Sequence, residues 1–149
     1  KEGTYVKELL HKKKLTVSGL AEQLKLLIPE GVEYRKNVLC RETPIWCDNA
    51  RPDAIEQLRQ AGLNAMPVQK GNNSVKDGID TVKQQKLFIT EDSINIVKEI
   101  QQYKWKENRD GQVFEEPVKL HDDAMDAIRY AAYMTLRKKK NLMVCFAEM

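Results

Sequence analysis

The sequence lacks the features that mark several large classes of protein. Its 149 residues contain no apolar run near the roughly 20 residues that a membrane-spanning helix needs, and its N-terminus lacks a signal-peptide pattern. The cysteines number three, without a CxxC pair, which argues against a disulfide framework or a zinc knuckle and fits a reducing cytoplasm. There is no GxxxxGKS/T motif, so the chain carries no nucleotide-binding P-loop.

Nucleophilic catalysis finds little support either. His11 lies among lysines, and His121 lies at the start of a predicted helix. Neither histidine joins a Ser/His/Asp or Cys/His set. The net charge of +3 is too small to identify a partner. A content of 42% hydrophobic and 32% charged residues is ordinary for a soluble globular protein. With no repeat or linker, we predict a single domain over residues 1–149.

What the sequence does contain is an alternation of short apolar strands and amphipathic helices. This alternation predicts an α/β fold with a largely parallel sheet. Around "NRDG", alternating aromatic and charged residues predict a β-hairpin between residues 103 and 114. The predicted strands are 4–10, "PIWCD", "LNAMPVQ" and "KLFIT". Thr16 and Ser74 are expected to cap helices, and further helices are expected to begin at Pro52, at Asp92 or Ser93, and at Asp122. We expect the first helix to end at Pro29 and Gly31, the second at Gly62 and the last near residue 138.

The last helix opens with three aspartates, in "HDDAMDAIRY". Asp122 and Asp123 have an ordinary explanation, since acidic residues favour the positive end of a helix. Asp126 lies one turn further in, where it either pairs with Arg129 or turns toward the sheet. Because like charges one turn apart repel, we also expect removal of a charge here to leave the protein folded or even to stabilise it.

Asp48 follows the buried strand "PIWC" directly. Ligands of parallel α/β sheets gather at the carboxyl ends of strands, although "DNARPD" also has the composition of a simple turn. If Asp126 and Asp48 meet, their oxygens suit a hard cation such as Mg²⁺ or Mn²⁺. Two such ions about 4 Å apart support phosphodiester hydrolysis without a protein nucleophile.

Three blocks of the sequence together resemble the C-terminal nuclease domain of tailed-phage terminase large subunits. The resemblance runs in order from about Tyr5 to Ala132, and the blocks are "CDNARPDAIEQLRQAGLNAMPVQKGNNSVKDGID", "LFITEDSINIVKEIQQYKWKENRDG" and "PVKLHDDAMDAIRYA". It implies an RNase H-like mixed sheet flanked by helices, with an added β-hairpin. It also implies an endonuclease that cuts concatemeric double-stranded DNA during genome packaging, with two Mg²⁺ or Mn²⁺ ions bound by aspartates.

The same resemblance assigns roles to individual residues. Asp48 and Asp126 match the second and third metal aspartates, and Asp123 stands where the family has a supporting or liganding side chain. Lys70 matches a basic residue near the site, with an exposed loop lysine as the plain alternative. The hairpin resembles a family element near the DNA, where three basic residues would contact phosphates: Lys104, Lys106 and Arg109.

One metal ligand has no counterpart in the sequence. The family's first metal aspartate would precede Lys1, so we expect an N-terminally incomplete domain that lacks one or more strands, binds metal weakly, and cuts slowly or not at all. Glu8 is the nearest carboxylate, but a strand-edge position explains it more simply. The resemblance further implies a terminase ATPase domain in the same full-length chain, a terminase small subunit and a portal protein as partners, no membrane, and action in the cytoplasm of the bacterial host.

Two other functions remain open from the residues alone. The first is a DNA-docking module of the packaging motor that binds without cutting, and the second is a structural α/β domain whose aspartates are helix caps. A nuclease cleaves DNA when metal is present, a docking module binds DNA in a salt-sensitive way without cleaving it, and a structural domain does neither.

Overall fold

The computed structural model describes residues 3–28, 43–119 and 122–136. Several predicted features lie outside the described residues: Pro29, Gly31, Cys40, His121, Cys145 and the end of the last helix beyond residue 136. The chain divides into two compact units. We call residues 3–8, 70–119 and 122–136 the first unit, and residues 9–28 and 43–69 the second unit. A single domain over residues 1–149 stays a prediction.

The described residues form five helices and six strands, which confirms the α/β class. Every predicted helix and strand is present, although the strands are short. In chain order the elements are β1 Thr4–Val6, α1 Val17–Leu27, β2 Ile45–Cys47, α2 Pro52–Gln60, β3 Ala65–Pro67, α3 Ser74–Lys83, β4 Leu87–Ile89, α4 Ile94–Gln102, β5 Trp105–Glu107, β6 Val113–Pro117 and α5 Asp123–Thr135.

The second unit is built on the parallel pair β2 and β3, in which Ile45 lies opposite Ala65. Helix α2 packs against β3 and against α1. Burial of the apolar faces of these elements supplies the main favourable term for folding this unit. Its core is formed by Leu20, Ala21, Leu24, Ile28, Ile45, Cys47, Ile55, Leu58, Leu63 and Ala65.

Local signals set the helix ends of the second unit as predicted. The Thr16 hydroxyl accepts a hydrogen bond from the backbone N–H of Gly19 at 3.1 Å and so caps α1. Pro52 occupies the first turn of α2, where its missing N–H costs nothing. Gly62 ends that helix with a φ of 90°, a conformation that residues with a side chain rarely adopt.

In the first unit, β1 and β4 also pair in parallel, with Thr4 opposite Leu87. Helix α5 packs against both α3 and α4. The buried residues of α5 are Ala124, Ile128, Arg129, Tyr130, Ala131 and Ala132. This packing fixes α5, which carries Asp123 and Asp126, against two other helices.

Two local expectations were inexact. Ser74 was expected to cap α3, but it is the first residue of that helix and Asn73 occupies the capping position. The strand expected over residues 4–10 ends at Val6. Beyond it, Glu8 binds another element of the first unit instead of continuing the strand.

Glu8 caps the start of α4 from far away in the sequence. Its carboxylate accepts hydrogen bonds from the backbone N–H groups of Asn95 at 3.0 Å and Ile96 at 3.2 Å, and from the side-chain amide of Asn95. The backbone N–H of Glu8 in turn donates to the hydroxyl of Ser93 at 2.9 Å. The N–H groups at a helix start lack partners inside the helix, and a carboxylate there also interacts favourably with the helix dipole. Glu8 is therefore a helix cap, which accounts for it more fully than the strand-edge position expected.

This contact predicts a measurable stability difference. Glu8→Ala leaves the N–H groups of Asn95 and Ile96 without their charged acceptor, so the free energy of unfolding should fall by about 1–3 kcal/mol in urea denaturation. Glu22→Ala, which removes an exposed carboxylate from α1, should change it by less than about 0.5 kcal/mol. Equal values for the two variants would show that the Glu8 cap contributes nothing.

Candidate active site

The first turn of α5 is held by a carboxylate from α4. Glu99, which is buried, accepts hydrogen bonds from the backbone N–H groups of Ala124 at 2.7 Å and Met125 at 3.1 Å. Asp122 occupies the capping position of α5, but its side chain makes no capping hydrogen bond. The sequence did not reveal this role of Glu99, because a cap from 25 residues away leaves no local pattern. The α5 aspartates are therefore not needed as caps.

Asp126 makes the pair with Arg129 that spacing allowed. Arg129 donates to Oδ1 of Asp126 from Nη2 at 2.7 Å and from Nε at 3.3 Å. The hydroxyl of Tyr130 makes a longer contact, 3.4 Å, with Oδ2 of the same carboxylate. The Arg129 side chain is only 7% exposed, whereas that of Asp126 is 32% exposed. The pair is thus anchored in the interior and reaches the surface only at Asp126.

The pKa of Arg129 reflects this pairing. Burial lowers the pKa of a guanidinium, but the hydrogen bond and charge of Asp126 outweigh burial and hold the pKa of Arg129 above its ordinary value. A buried cation that loses its anion is strongly destabilising. Our expectation that removing the charge of Asp126 would be harmless or stabilising is therefore replaced by the opposite one, because Asp126 neutralises Arg129.

The carboxylates near Asp122 disfavour its ionisation. Burial first, and then the charges of Asp126 and Asp123, raise the pKa of Asp122. The pKa of Tyr103 is raised first by burial and then by Asp126, while Arg129 opposes that shift. Arg129 thus compensates part of the negative charge, and a bound cation would compensate more of it.

Lys70, also in the first unit, lies beside the Tyr130 ring. Its Nζ stands 5.4 Å from the centre of the Tyr130 ring, and the guanidinium of Arg129 lies 4.6 Å from that ring centre. Both distances suit cation–π interactions. The structure therefore places Lys70 beside Tyr130, whose hydroxyl contacts Asp126, while the Lys70 side chain remains exposed.

Asp48 lies immediately after β2, in the second unit. It is exposed, and its Oδ1 accepts a hydrogen bond from the backbone N–H of Ala50 at 2.9 Å, which is the geometry of an Asx turn. This turn agrees with the plain alternative for Asp48, which stands at the carboxyl end of a parallel strand. An approach of Asp48 to Asp126 stays a prediction.

The donor chemistry around α5 fits a hard divalent cation in part. Asp123 is exposed and Asp126 is partly exposed, so carboxylate oxygens are accessible. Across the described ranges, however, no group of three or more His, Cys, Asp or Glu side chains has an arrangement that could hold a metal ion. The first unit therefore supplies suitable ligands without a complete set of them.

Comparison with known families decides the identity of the fold. The family model described as "Terminase RNAseH like domain" matches residues 4–133. The chain belongs to this terminase RNase H-like domain family. Among solved structures, the chain is similar to the large terminase nuclease domain of bacteriophage SPP1, crystallised with bound Mn, at 20% sequence identity and a TM-score of 0.70. The similarity covers 85% of this chain and 68% of that one. No curated protein matches the chain.

The comparisons confirm the RNase H-like α/β fold and the resemblance to terminase nuclease domains. They assign no role to a single residue, so the metal and DNA-binding residues stay predictions. Within the residues that can be described, no helix of this terminase domain is long and apolar enough to cross a membrane.

The predicted hairpin of the terminase domain is present. Strands β5 and β6 pair antiparallel, with Glu107 opposite Val113 and an irregularity between Trp105 and Glu107. The Asn108 side chain shapes the turn by accepting hydrogen bonds from the backbone N–H groups of Asp110 at 3.0 Å and Gln112 at 2.8 Å. This side-chain role explains why "NRDG" indicated a turn.

All three basic residues proposed for DNA contact are exposed on this hairpin. Lys106 forms an ion pair with Glu116, with 2.7 Å between Nζ and Oε2. Both partners are well exposed, so this pair contributes little to stability. Phosphate would compete with Glu116 for Lys106, which makes Lys104 and Arg109 the stronger candidates for DNA contact.

Proposed function

We propose that this terminase domain is the metal-dependent endonuclease of a phage or prophage terminase large subunit. Its substrate is concatemeric double-stranded DNA, which it cuts during genome packaging. The observation that carries the proposal is Asp126, a carboxylate held at the surface end of a buried ion pair, in a chain matched to the terminase RNase H-like family over residues 4–133.

Asp126, Asp48 and Asp123 are the residues proposed to hold Mg²⁺ or Mn²⁺. The neighbour from bacteriophage SPP1 was solved with bound Mn, which supports a divalent metal for the present domain. The chemistry that two bound ions would supply is activation of the attacking water and stabilisation of the leaving oxygen. Arg129 pairs with Asp126 and orients its carboxylate, and Lys70 places a positive charge beside Tyr130, where it would attract a phosphate.

The hairpin supplies the proposed DNA contact. Lys104, Lys106 and Arg109 carry three positive charges on one exposed hairpin, and phosphate contacts position a protein on DNA without reading its sequence. The family further suggests an ATPase domain in the same full-length protein, a terminase small subunit and a portal protein as partners, and the cytoplasm of the host bacterium as the site of action.

Asparagine substitutions test the metal ligands. Asp48→Asn and Asp126→Asn should each weaken Mn²⁺ binding, measured from the electron paramagnetic resonance signal of the free ion, because neutral amides hold a hard cation poorly. Asp126→Asn should also lower the free energy of unfolding by about 1–3 kcal/mol, since Arg129 loses its anion at a partly exposed site. Where the gene encodes residues before Lys1, the longer protein should nick plasmid DNA with Mn²⁺, and both substitutions should abolish nicking.

The matched controls are exposed aspartates at similar positions. Asp53 lies near Asp48 in the sequence of the second unit, and Asp80 lies on α3 of the first unit. The controls are Asp53→Asn and Asp80→Asn. Both should bind Mn²⁺ and cut like the unmodified protein. Nicking that survives both Asp48→Asn and Asp126→Asn would refute the assigned ligands. Salt-sensitive DNA binding by a longer protein that never cuts would favour the DNA-docking module instead.

Alanine substitutions test the hairpin. Replacing Lys104, Lys106 and Arg109 should weaken binding to fluorescent duplexes of different sequence by similar factors, because phosphate contacts do not read sequence. Each lost phosphate contact should also reduce the salt slope of log K by about 0.9. A control with the same loss of charge replaces the exposed Lys12, Lys13 and Lys25. An unchanged affinity and salt slope in the hairpin variant, or an equal loss in the control, would exclude the hairpin as the DNA contact.

A further inference from the structure

Arg129 is an unusual residue to find buried on α5. It is only 5% exposed, and both of its donor contacts to Asp126 go to the single oxygen Oδ1. Buried charges need a hydrogen-bonded partner of opposite sign. Arg129 therefore fixes the rotation of the Asp126 carboxylate.

Gly78 on α3 provides the space for Arg129. A Cβ atom at position 78 would lie 2.4 Å from Cγ of Arg129, closer than carbon atoms pack, and 3.1 Å from Cδ, which is a tight contact. Glycine is a poor residue for the interior of a helix, and α3 continues for five residues beyond it. The absence of a side chain at Gly78 thus has a packing reason, because the aliphatic stem of Arg129 occupies that space.

The second oxygen of Asp126 is held much less firmly. Its one hydrogen bond among the described residues is the long contact of 3.4 Å from the Tyr130 hydroxyl to Oδ2. The Tyr130 ring also packs under the Arg129 guanidinium, at 4.6 Å. With Oδ1 engaged by Arg129, Oδ2 is the oxygen available to a ligand.

We propose that Arg129, seated by Gly78, is a positioning residue that presents Oδ2 of Asp126 to a divalent cation and restricts Asp126 to binding through that one oxygen. The inference rests on the proposed function, in which Asp126 is a metal ligand. Removing a group that hydrogen-bonds to a metal ligand and orients it typically weakens metal binding by about 10- to 100-fold. A device for orientation is most valuable for Mg²⁺, which requires near-ideal octahedral geometry.

The test compares Mn²⁺ affinity across variants of the 149-residue chain that retain Asp126. Arg129→Gln and Gly78→Ala should each weaken Mn²⁺ binding by about 10- to 100-fold, and Arg129→Lys should fall between Arg129→Gln and the unmodified chain. Gly78→Ala is informative because it keeps every charge and displaces only the Arg129 stem. Circular dichroism and thermal melting without metal identify the temperature range in which each variant is folded, and Mn²⁺ is titrated there.

Two controls separate positioning from general stability. Arg51→Gln removes an exposed arginine paired with Asp53, and Gly19→Ala alters another helical glycine, whose added Cβ would meet Thr16 Oγ1 at 3.1 Å. Both should leave Mn²⁺ affinity within about twofold of the unmodified chain. A merely structural role for Arg129 would lower the melting temperature and leave Mn²⁺ affinity of the folded variants unchanged.

The outcomes distinguish this inference from the function on which it rests. If Asp126→Asn binds Mn²⁺ as tightly as the unmodified chain, Asp126 is not a ligand and both proposals fail. If Asp126→Asn weakens binding while the folded Arg129 and Gly78 variants keep full affinity, only the positioning role is overturned. Should Arg129→Gln fail to fold, Arg129→Lys and Gly78→Ala decide the question in the same way.

Discussion

The burial of Arg129 is the constraint on which the centre of the first unit depends. A guanidinium withdrawn from water requires an anion, and Asp126 supplies it at 2.7 Å. The same pair fixes where α3 and α5 meet, because the Arg129 stem occupies the space left by Gly78. Replacing a carboxylate with this structural role should cost stability, and its second oxygen has the longer contact with the Tyr130 hydroxyl. The Asp126 side chain therefore serves both the stability of the first unit and the proposed chemistry.

Carboxylates also connect the elements around this pair. Glu8, just after β1, binds the start of α4, and Glu99 of α4 binds the start of α5. Each contact satisfies backbone N–H groups that a helix leaves unpaired and places negative charge at the positive end of its dipole. Together they form a chain of contacts from the parallel pair β1 and β4 to the aspartates of α5. The position of Asp126 thus depends on residues more than a hundred positions away in the sequence.

The sequence predicted the local features well, because their causes are local. Thr16, Pro52 and Gly62 mark helix ends through their own backbone preferences, and "NRDG" predicts a turn through the Asn108 side chain. The roles of Glu8 and Glu99 escaped prediction, since both depend on helices brought close only by folding. Spacing suggested the pairing of Asp126 with Arg129 but not the burial of Arg129, which is set by Gly78 on another helix. For the same reason the structure reverses the expected effect on stability of removing the Asp126 charge. The metal set itself was suggested by family resemblance, because periodicity cannot tell a ligand from a cap.

The central proposal is that Asp48 and Asp126 bind a common divalent cation. A crystal grown with Mn²⁺ and measured with anomalous scattering locates the ion directly and identifies its ligands. We predict an anomalous peak about 2 Å from an oxygen of Asp48 and from Oδ2 of Asp126, with Oδ1 still bound by Arg129. A map in which Mn²⁺ occupies other residues, or in which the two carboxylates lie too far apart to share an ion, would contradict the account.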